Sequence, residues 1–197
     1  MSDYSDFEWT DANRPEVERI KGRYPRGREQ SAIMPLLWLA QYQMREQTGI
    51  GWLPLPVIEY VAAEVGVSRI RALEVVTFYT MFNRAPVGRY HVQVCGTTPC
   101  MLRGSDDILR ACADKGLKKG EVTEDGLFSL IEVECIGCCA NAPVVQVNDD
   151  NFEDLTYESM TAVLEDLIAG RTPAPGSQIG RQASCPEGGP TTLKEMV

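Results

Sequence analysis

The hydrophobic pattern of the first half of the chain is helical. Asn13 followed by Pro15 predicts a helix start, since Asn is a favoured N-cap and Pro fits the first turn. Apolar residues then recur three or four positions apart, as on one face of an α-helix, and Gly49 and Gly66 are typical of helix ends. These signals predict a small bundle of four helices over residues 13–87. Its apolar stripes are Val17 and Ile20; Ile33, Leu36, Leu37, Ala40 and Met44; Val57, Ile58, Val61, Ala62 and Val65; and Ile70, Leu73, Val76, Phe78 and Phe82.

The period changes from 3.6 to 2 after Gly88. Apolar Tyr90, Val92 and Val94 alternate with other residues up to Cys95, which predicts a strand with His91 on its solvent side. Further elements follow in the order helix, strand, strand, helix. They are a helix ending at Gly116, strands over residues 127–134 and 144–148 with a turn at residues 149–151, and a helix capped by Thr156. The order β-α-β-β-α over residues 88–170 fits a compact sandwich of thioredoxin-like layout.

The two ends of the chain lack such periodicity. Residues 1–12 are acidic and are predicted to be a mobile lead. Residues 171–197 are rich in Pro, Gly and Ser and are predicted to be an extended tail. The predicted fold class is therefore α+β, with an N-terminal helical bundle, a thioredoxin-like domain and an extended C-terminal tail.

The net charge of −9 argues against partners that carry phosphate, so nucleic acid and anionic membranes are not expected. No apolar run approaches the ~18 residues of a membrane-spanning helix. The N-terminal residues have no basic or apolar targeting pattern, so we expect a cytoplasmic protein without direct membrane insertion. The chain also contains neither G-x-G-x-x-G nor a P-loop, and we expect no nucleotide site on it.

The candidate chemistry lies in the cysteines, of which the chain has seven. Cys95 and Cys100 lie in CGTTPC, and Cys135, Cys138 and Cys139 lie in ECIGCC. In a reducing compartment, thiols in two such loops indicate a metal centre rather than disulfides. The spacing favours iron–sulfur over zinc, because structural zinc sites usually have C-x₂-C on both arms. Spacing alone leaves open whether Cys138 or Cys139 is the fourth ligand, and it leaves zinc as an alternative.

Several neighbouring features refine this hypothesis. Thr98 and Pro99 predict a helix start that places Cys100 in the first turn, where backbone N–H groups favour a thiolate. Gly137 is predicted to let the second loop pass close to the centre. The other two cysteines are not expected to be ligands, since Cys112 falls on an apolar helix face and Cys185 lies in the tail as a free or partner-covered thiol.

Longer segments carry a resemblance to a known family. CGTTPCMLRGS, ECIGCCANAPVVQVND, SCPEGGPTTL, SAIMPLLWLAQ, GWLP and EVVTFYTMFNRAPVG resemble the 24-kDa-type subunits of respiratory complex I (NADH:quinone oxidoreductase), over about residues 15–193. The family pattern C-x₄-C with C-x₃-C implies that Cys95, Cys100, Cys135 and Cys139 hold one [2Fe–2S] cluster. Cys138 stands where such proteins commonly have a small residue.

The resemblance also implies a function. It implies an electron-transfer subunit that docks on a larger flavin- and NADH-binding subunit, which carries FMN and NADH, and also contacts the large iron–sulfur subunit. Such a chain lies in a peripheral arm on the cytoplasmic face of the inner membrane and does not oxidise NADH by itself. The alternatives are the equivalent subunit of an NAD-linked formate dehydrogenase or hydrogenase diaphorase unit, and a zinc-stabilised interaction module.

Overall fold

The structure, a computed structural model, describes residues 4–189 and 191–192, and its contacts divide the chain between Val87 and Gly88. The first unit is helical, and the second contains a mixed sheet with helices, so the predicted α+β class is confirmed. Within the described residues, no helix is both long enough and apolar enough to cross a membrane.

The first unit is a bundle whose core is built from the predicted apolar stripes. Its helices are α1 (Arg14–Lys21), α2 (Ile33–Thr48), α3 (Leu55–Glu64) and α4 (Arg69–Phe78), with a 3₁₀ turn at Glu29–Ala32. Leu36 and Leu37 of α2 and Val57 and Val61 of α3 are fully buried. The left-handed backbone of Gly49 ends α2, as predicted.

The fourth predicted stripe is wrong in part. α4 turns Ala72 and Val76 inward, whereas Ile70 is 63% exposed and Phe78 is 77% exposed. Ile70 and Phe78 are eight positions apart and so share the opposite face of the helix. Phe82 is buried as predicted, but it lies after the end of α4.

The described part of the lead, residues 4–12, packs on the bundle. Phe7 and Trp9 are buried in the first unit, and each makes an edge-to-face contact with Tyr60 of α3. The prediction of a mobile lead is therefore wrong for these residues. Apolar burial outweighs the acidic composition that suggested a solvated segment.

A buried amide of α2 holds the lead in place. Gln43 is fully buried, and its Nε2 donates to the carbonyl of Glu8 over 2.8 Å. Its Oε1 accepts from the backbone N–H of Thr10 and from Nδ2 of Asn13, over 3.1 and 2.9 Å. A side chain without hydrogen-bonding capacity at this position would leave these groups without partners.

The second unit contains a five-stranded sheet in the order β2-β1-β3-β4-β5. The strands are β1 (Tyr90–Cys95), β2 (Phe128–Val133), β3 (Val145–Val147), β4 (Asp150–Glu153) and β5 (Gly176–Ser177). The helices are α5 (Thr98–Arg103), α6 (Ser105–Asp114) and α7 (Tyr157–Ile168), with a 3₁₀ turn at Cys139–Asn141. Strand β1 is parallel to β2 and antiparallel to β3.

Two of these strands were not predicted. Residues 149–151 were interpreted as a turn, but the chain reverses earlier and Asp150 begins β4, which is antiparallel to β3. The tail then contributes β5, which is parallel to β4. Both strands are short, and their residues are mostly polar or small, so neither shows the alternation that predicts a strand.

Helices α6 and α7 share a core with the sheet. Val92 and Val94 of β1 and Ile108 of α6 are fully buried, together with Met160 of α7. The predicted cap of α7 is confirmed, because Thr156 and Ser159 form a reciprocal capping box. Cys112 is a core thiol as predicted, and burial raises its pKa to about 12.

His91 does not face solvent, contrary to the prediction. Its side chain is buried, with Nδ1 2.7 Å from Oγ of Ser129, which also accepts the backbone N–H of Gly88. The hydroxyl of Ser129 can accept from Gly88 and at the same time donate its proton to an unprotonated Nδ1. Burial lowers the pKa of His91 to about 4, which agrees with a neutral ring.

Replacing Gln43 by Leu should destabilise the first unit by about 3 kcal/mol, because several buried backbone and side-chain groups lose their partners. All three tryptophans lie in residues 9–52, so denaturation followed by tryptophan fluorescence reports this unit. The control is Gln47→Leu, which replaces an exposed glutamine one turn later in the same helix and should change stability little. Equal effects of the two substitutions would contradict the anchoring role of Gln43.

The ring of His91, the only histidine of the chain, should titrate near pH 4 rather than near 6.5 in an NMR titration. Between about pH 6.5 and about pH 4 the unfolded chain binds a proton at His91 that the folded chain does not bind. The free energy of unfolding therefore falls as the pH falls through this range. Between about pH 7.5 and about pH 5.5 this group should lower the free energy of unfolding by about 1 kcal/mol. His91→Gln should abolish that part of the pH dependence. A midpoint above pH 6 would show a solvated ring.

Candidate metal centre

The two cysteine loops leave the sheet at the same edge. Cys95 is the last residue of β1, and its partner in the parallel pairing is Val133, the last residue of β2. Cys135 follows Val133 by two positions. Because parallel strands end at the same edge, the two loops begin side by side, roughly one strand spacing of about 4.8 Å apart.

The first loop holds a buried pair of thiols. Cys95 and Cys100 are 2% and 1% exposed and are hydrogen-bonded to each other. Cys100 lies in the first turn of α5, as predicted, although the N-cap is Thr97 rather than Thr98. Pro99 is in the same first turn, where its missing N–H costs no helical hydrogen bond.

The two buried thiols differ in acidity. Desolvation acts against ionisation of Cys95, but hydrogen bonds from the hydroxyl and N–H of Thr97 and the N–H of Ile136 lower its pKa. Desolvation and the neighbouring Cys95 raise the pKa of Cys100 to about 12. The stabilised thiolate at Cys100 stays a prediction, because the raised pKa is that of a free thiol beside a second free thiol. A bound cation would stabilise negative charge on both sulfurs.

The second loop holds an exposed pair. The sulfurs of Cys135 and Cys139 are 3.3 Å apart, and both residues are exposed. Between them Gly137 has φ +96°, a conformation that L side chains rarely adopt, so this turn requires glycine. Cys139 begins the 3₁₀ turn, and its pKa is raised, chiefly by the hydrogen bond with Cys135.

Cys138 is directed elsewhere. Its sulfur accepts from Nδ2 of Asn151 on β4 over 3.4 Å. Its pKa is raised by desolvation and by the carboxylate of Glu153. Cys138 and Cys139 are adjacent in sequence, but the hydrogen bonds of their sulfurs lead to different neighbours. This geometry favours Cys139 as the partner of Cys135.

The two pairs approach each other. The N–H of Ile136 in the second loop donates to Cys95 in the first, and the charge of Cys139 contributes to the raised pKa of Cys100. In the described residues no three Cys, His, Asp or Glu side chains are grouped closely enough to hold a metal ion, so the thiols stand as two pairs. A [2Fe–2S] cluster takes two thiolates at each iron, so this donor set has the required chemistry. The ligand assignment stays a prediction.

Sequence reasoning missed the tail residue next to this site. Arg181 forms a nearly fully buried ion pair with Asp154 and donates to the carbonyl of Ala140, beside Cys139. The only signal in the sequence is an arginine within a segment rich in Pro, Gly and Ser. That signal is too weak to predict burial.

Comparison with known proteins agrees with the fold and the thiol pattern. A family model described as thioredoxin-like [2Fe–2S] ferredoxin matches residues 17–168. A subunit of the NADH-quinone oxidoreductase of Rickettsia bellii is 55% identical over 164 residues, which cover 83% of this chain and 95% of that protein. The mitochondrial NADH dehydrogenase [ubiquinone] flavoprotein 2 of Dictyostelium discoideum is 44% identical over 195 residues, which cover 98% of this chain and 77% of that protein.

A solved structure shares the fold at low sequence identity. The air-oxidised NAD⁺-reducing [NiFe]-hydrogenase superposes with a TM-score of 0.57 at 17% identity. The match covers 70% of this chain and 23% of that chain, so the shared region is about a quarter of that chain. By the extent of the family match and the identity to its relatives, the chain belongs to the thioredoxin-like [2Fe–2S] ferredoxin family.

Proposed function

We propose that this chain is the electron-transfer subunit of an NADH:quinone oxidoreductase and that Cys95, Cys100, Cys135 and Cys139 hold its one [2Fe–2S] cluster. One observation carries the proposal. Two pairs of thiols lie where the chain leaves two adjacent parallel strands at the same edge of the sheet. The relatives support the reaction class, since that from Rickettsia bellii is named as a subunit of NADH-quinone oxidoreductase and that from Dictyostelium discoideum as an NADH dehydrogenase [ubiquinone] flavoprotein.

The residues around the site offset the negative charge of the sulfurs and limit the access of water to them. A bound [2Fe–2S] cluster supplies reversible one-electron chemistry. N–H groups of Thr97, Ile136 and Val144 donate to the buried sulfurs and offset the negative charge there. Cys95 and Cys100 keep one side of the site away from water, while Cys135 and Cys139 open to the surface. The exposed pair is therefore the side of the site that a partner can approach.

The partner we propose is the larger flavin- and NADH-binding subunit, which carries FMN and NADH, and the large iron–sulfur subunit is a second. Met101 and Leu102, directly after Cys100, are 53% and 76% exposed. Apolar side chains exposed beside a redox site support a covering partner. In such an assembly this chain lies in the peripheral arm, on the cytoplasmic face of the membrane.

Anaerobically purified chain should show the EPR signal of a reduced [2Fe–2S] cluster after dithionite treatment and should not oxidise NADH alone. Metal analysis should give about two irons per chain, since one binuclear cluster is proposed. A colourless protein that contains only zinc after anaerobic reconstitution with iron and sulfide would refute the electron-transfer function and would favour the zinc-stabilised interaction module.

Cys139→Ala should abolish the EPR signal, because it removes one thiolate of the exposed pair and offers no replacement oxygen. Cys138→Ala is the matched control and should retain the signal, since its sulfur is bonded to Asn151 on β4. Both variants remove one thiol from adjacent positions of the same loop. The reverse outcome would assign Cys138 as the ligand.

A further inference from the structure

We infer that Arg181 is a positioning residue for Cys139, so that the C-terminal tail holds the exposed half of the metal centre in shape. The inference rests on the proposed function, because it concerns Cys139 as a cluster ligand. It assigns a role to residues 176–185, which lie outside the cysteine loops.

Arg181 is anchored by a buried ion pair. Its guanidinium bonds to a carboxylate oxygen of Asp154, and the two side chains are only 9% and 2% exposed. Ser177 of β5 donates to the other carboxylate oxygen over 2.7 Å, and its Oγ accepts the backbone N–H of Arg181 over 3.1 Å. Solvent screening is weak for so buried a pair, so the guanidinium is fixed in position.

The fixed guanidinium reaches the turn that contains Cys139. Nη1 of Arg181 donates to the carbonyl of Ala140 over 3.1 Å and to the carbonyl of Cys185 over 3.3 Å. One side chain thus ties the residue after Cys139 both to the sheet, through Asp154, and to the tail. A planar fork of N–H donors suits this bridging better than a lysine ammonium.

Asn141 makes a second connection between this turn and the tail. Nδ2 of Asn141 donates to the carbonyl of Ala183 over 2.9 Å and to Glu153 over 2.7 Å. The carbonyl of Asn141 accepts the backbone N–H of Asp154 over 2.7 Å. Ala140 and Asn141 are therefore both hydrogen-bonded to the tail, and Asn141 is also hydrogen-bonded to Glu153 at the end of β4 and to Asp154, the residue after it.

Cys139 depends on these ties because burial does not fix it. Its side chain is exposed, as is that of Cys135. The short 3₁₀ turn is closed by the N–H of Asn141, which donates to the carbonyl of Cys138 over 2.9 Å. Without Arg181 the carbonyl of Ala140 loses its donor, and the position of the thiolate is less well defined. Residues that orient metal ligands in this way typically affect metal affinity 10–100-fold.

The test is made on the full-length chain with its cluster. Arg181→Met leaves Asp154 as an unpaired buried charge and can impair folding, so the double variant Arg181→Met/Asp154→Asn removes that charge as well. The matched control is Arg171→Met, which removes an exposed tail arginine whose ion pair with Asp166 does not touch the cysteine loops. Circular dichroism checks that each variant is folded.

The double variant should lose its visible absorbance at least about tenfold faster in the presence of an iron chelator. The EPR spectrum of its reduced cluster should also shift in g-values or broaden. Arg171→Met should match the parent chain in both measurements. A folded double variant with the parent's EPR spectrum and rate of cluster loss would overturn the inference and leave the proposed function intact. A parent chain that binds no iron–sulfur cluster would overturn both.

Discussion

The parallel pairing of β1 and β2 is the constraint on which the site depends. Parallel strands require a crossover connection, here formed by α5 and α6, and their carboxyl ends must lie at the same edge of the sheet. Cys95 and Val133 are direct neighbours in this pairing, so the thiols that follow them start from adjacent points. A slip of one residue in register would turn Cys95 to the other face of the sheet and separate the loops.

The two thiol pairs lie in different dielectric surroundings, because one pair is buried and the other is exposed. Cys95 and Cys100 are buried, and desolvation disfavours charge on either sulfur. Hydrogen bonds from Thr97 and from the second loop lower the pKa of Cys95 in spite of its burial. The exposed pair has water to solvate its charge but little packing to fix its geometry. The centre thus combines a well-packed, poorly solvated half with a well-solvated, loosely packed half.

The elements whose residues follow a regular period could be predicted from the sequence. The features that depend on contacts between residues distant in sequence could not. The stripes of α2 and α3 and the cap of α7 follow from local periodicity and local hydrogen bonds, and the structure confirms them. Ile70 and Phe78 fit the same helical spacing, but periodicity alone does not determine which face of α4 meets the core. Alternation along β1 placed His91 in solvent, whereas its ring is buried and hydrogen-bonds through Nδ1 to Ser129 on the neighbouring strand.

The contribution of the tail to the site could not be predicted from the sequence. Composition indicated an extended segment, and nothing in the order of its residues pairs Arg181 with Asp154, 27 positions earlier. Forming that pair removes two charges from water, a cost that is offset only where geometry and further hydrogen bonds are good. Ser177, Ala140 and Cys185 provide those bonds. A buried ion pair gives little net stability but strong orientation, and orientation is what the exposed thiol pair lacks. The tail therefore supplies to Cys139 the rigidity that the core supplies to Cys95 and Cys100.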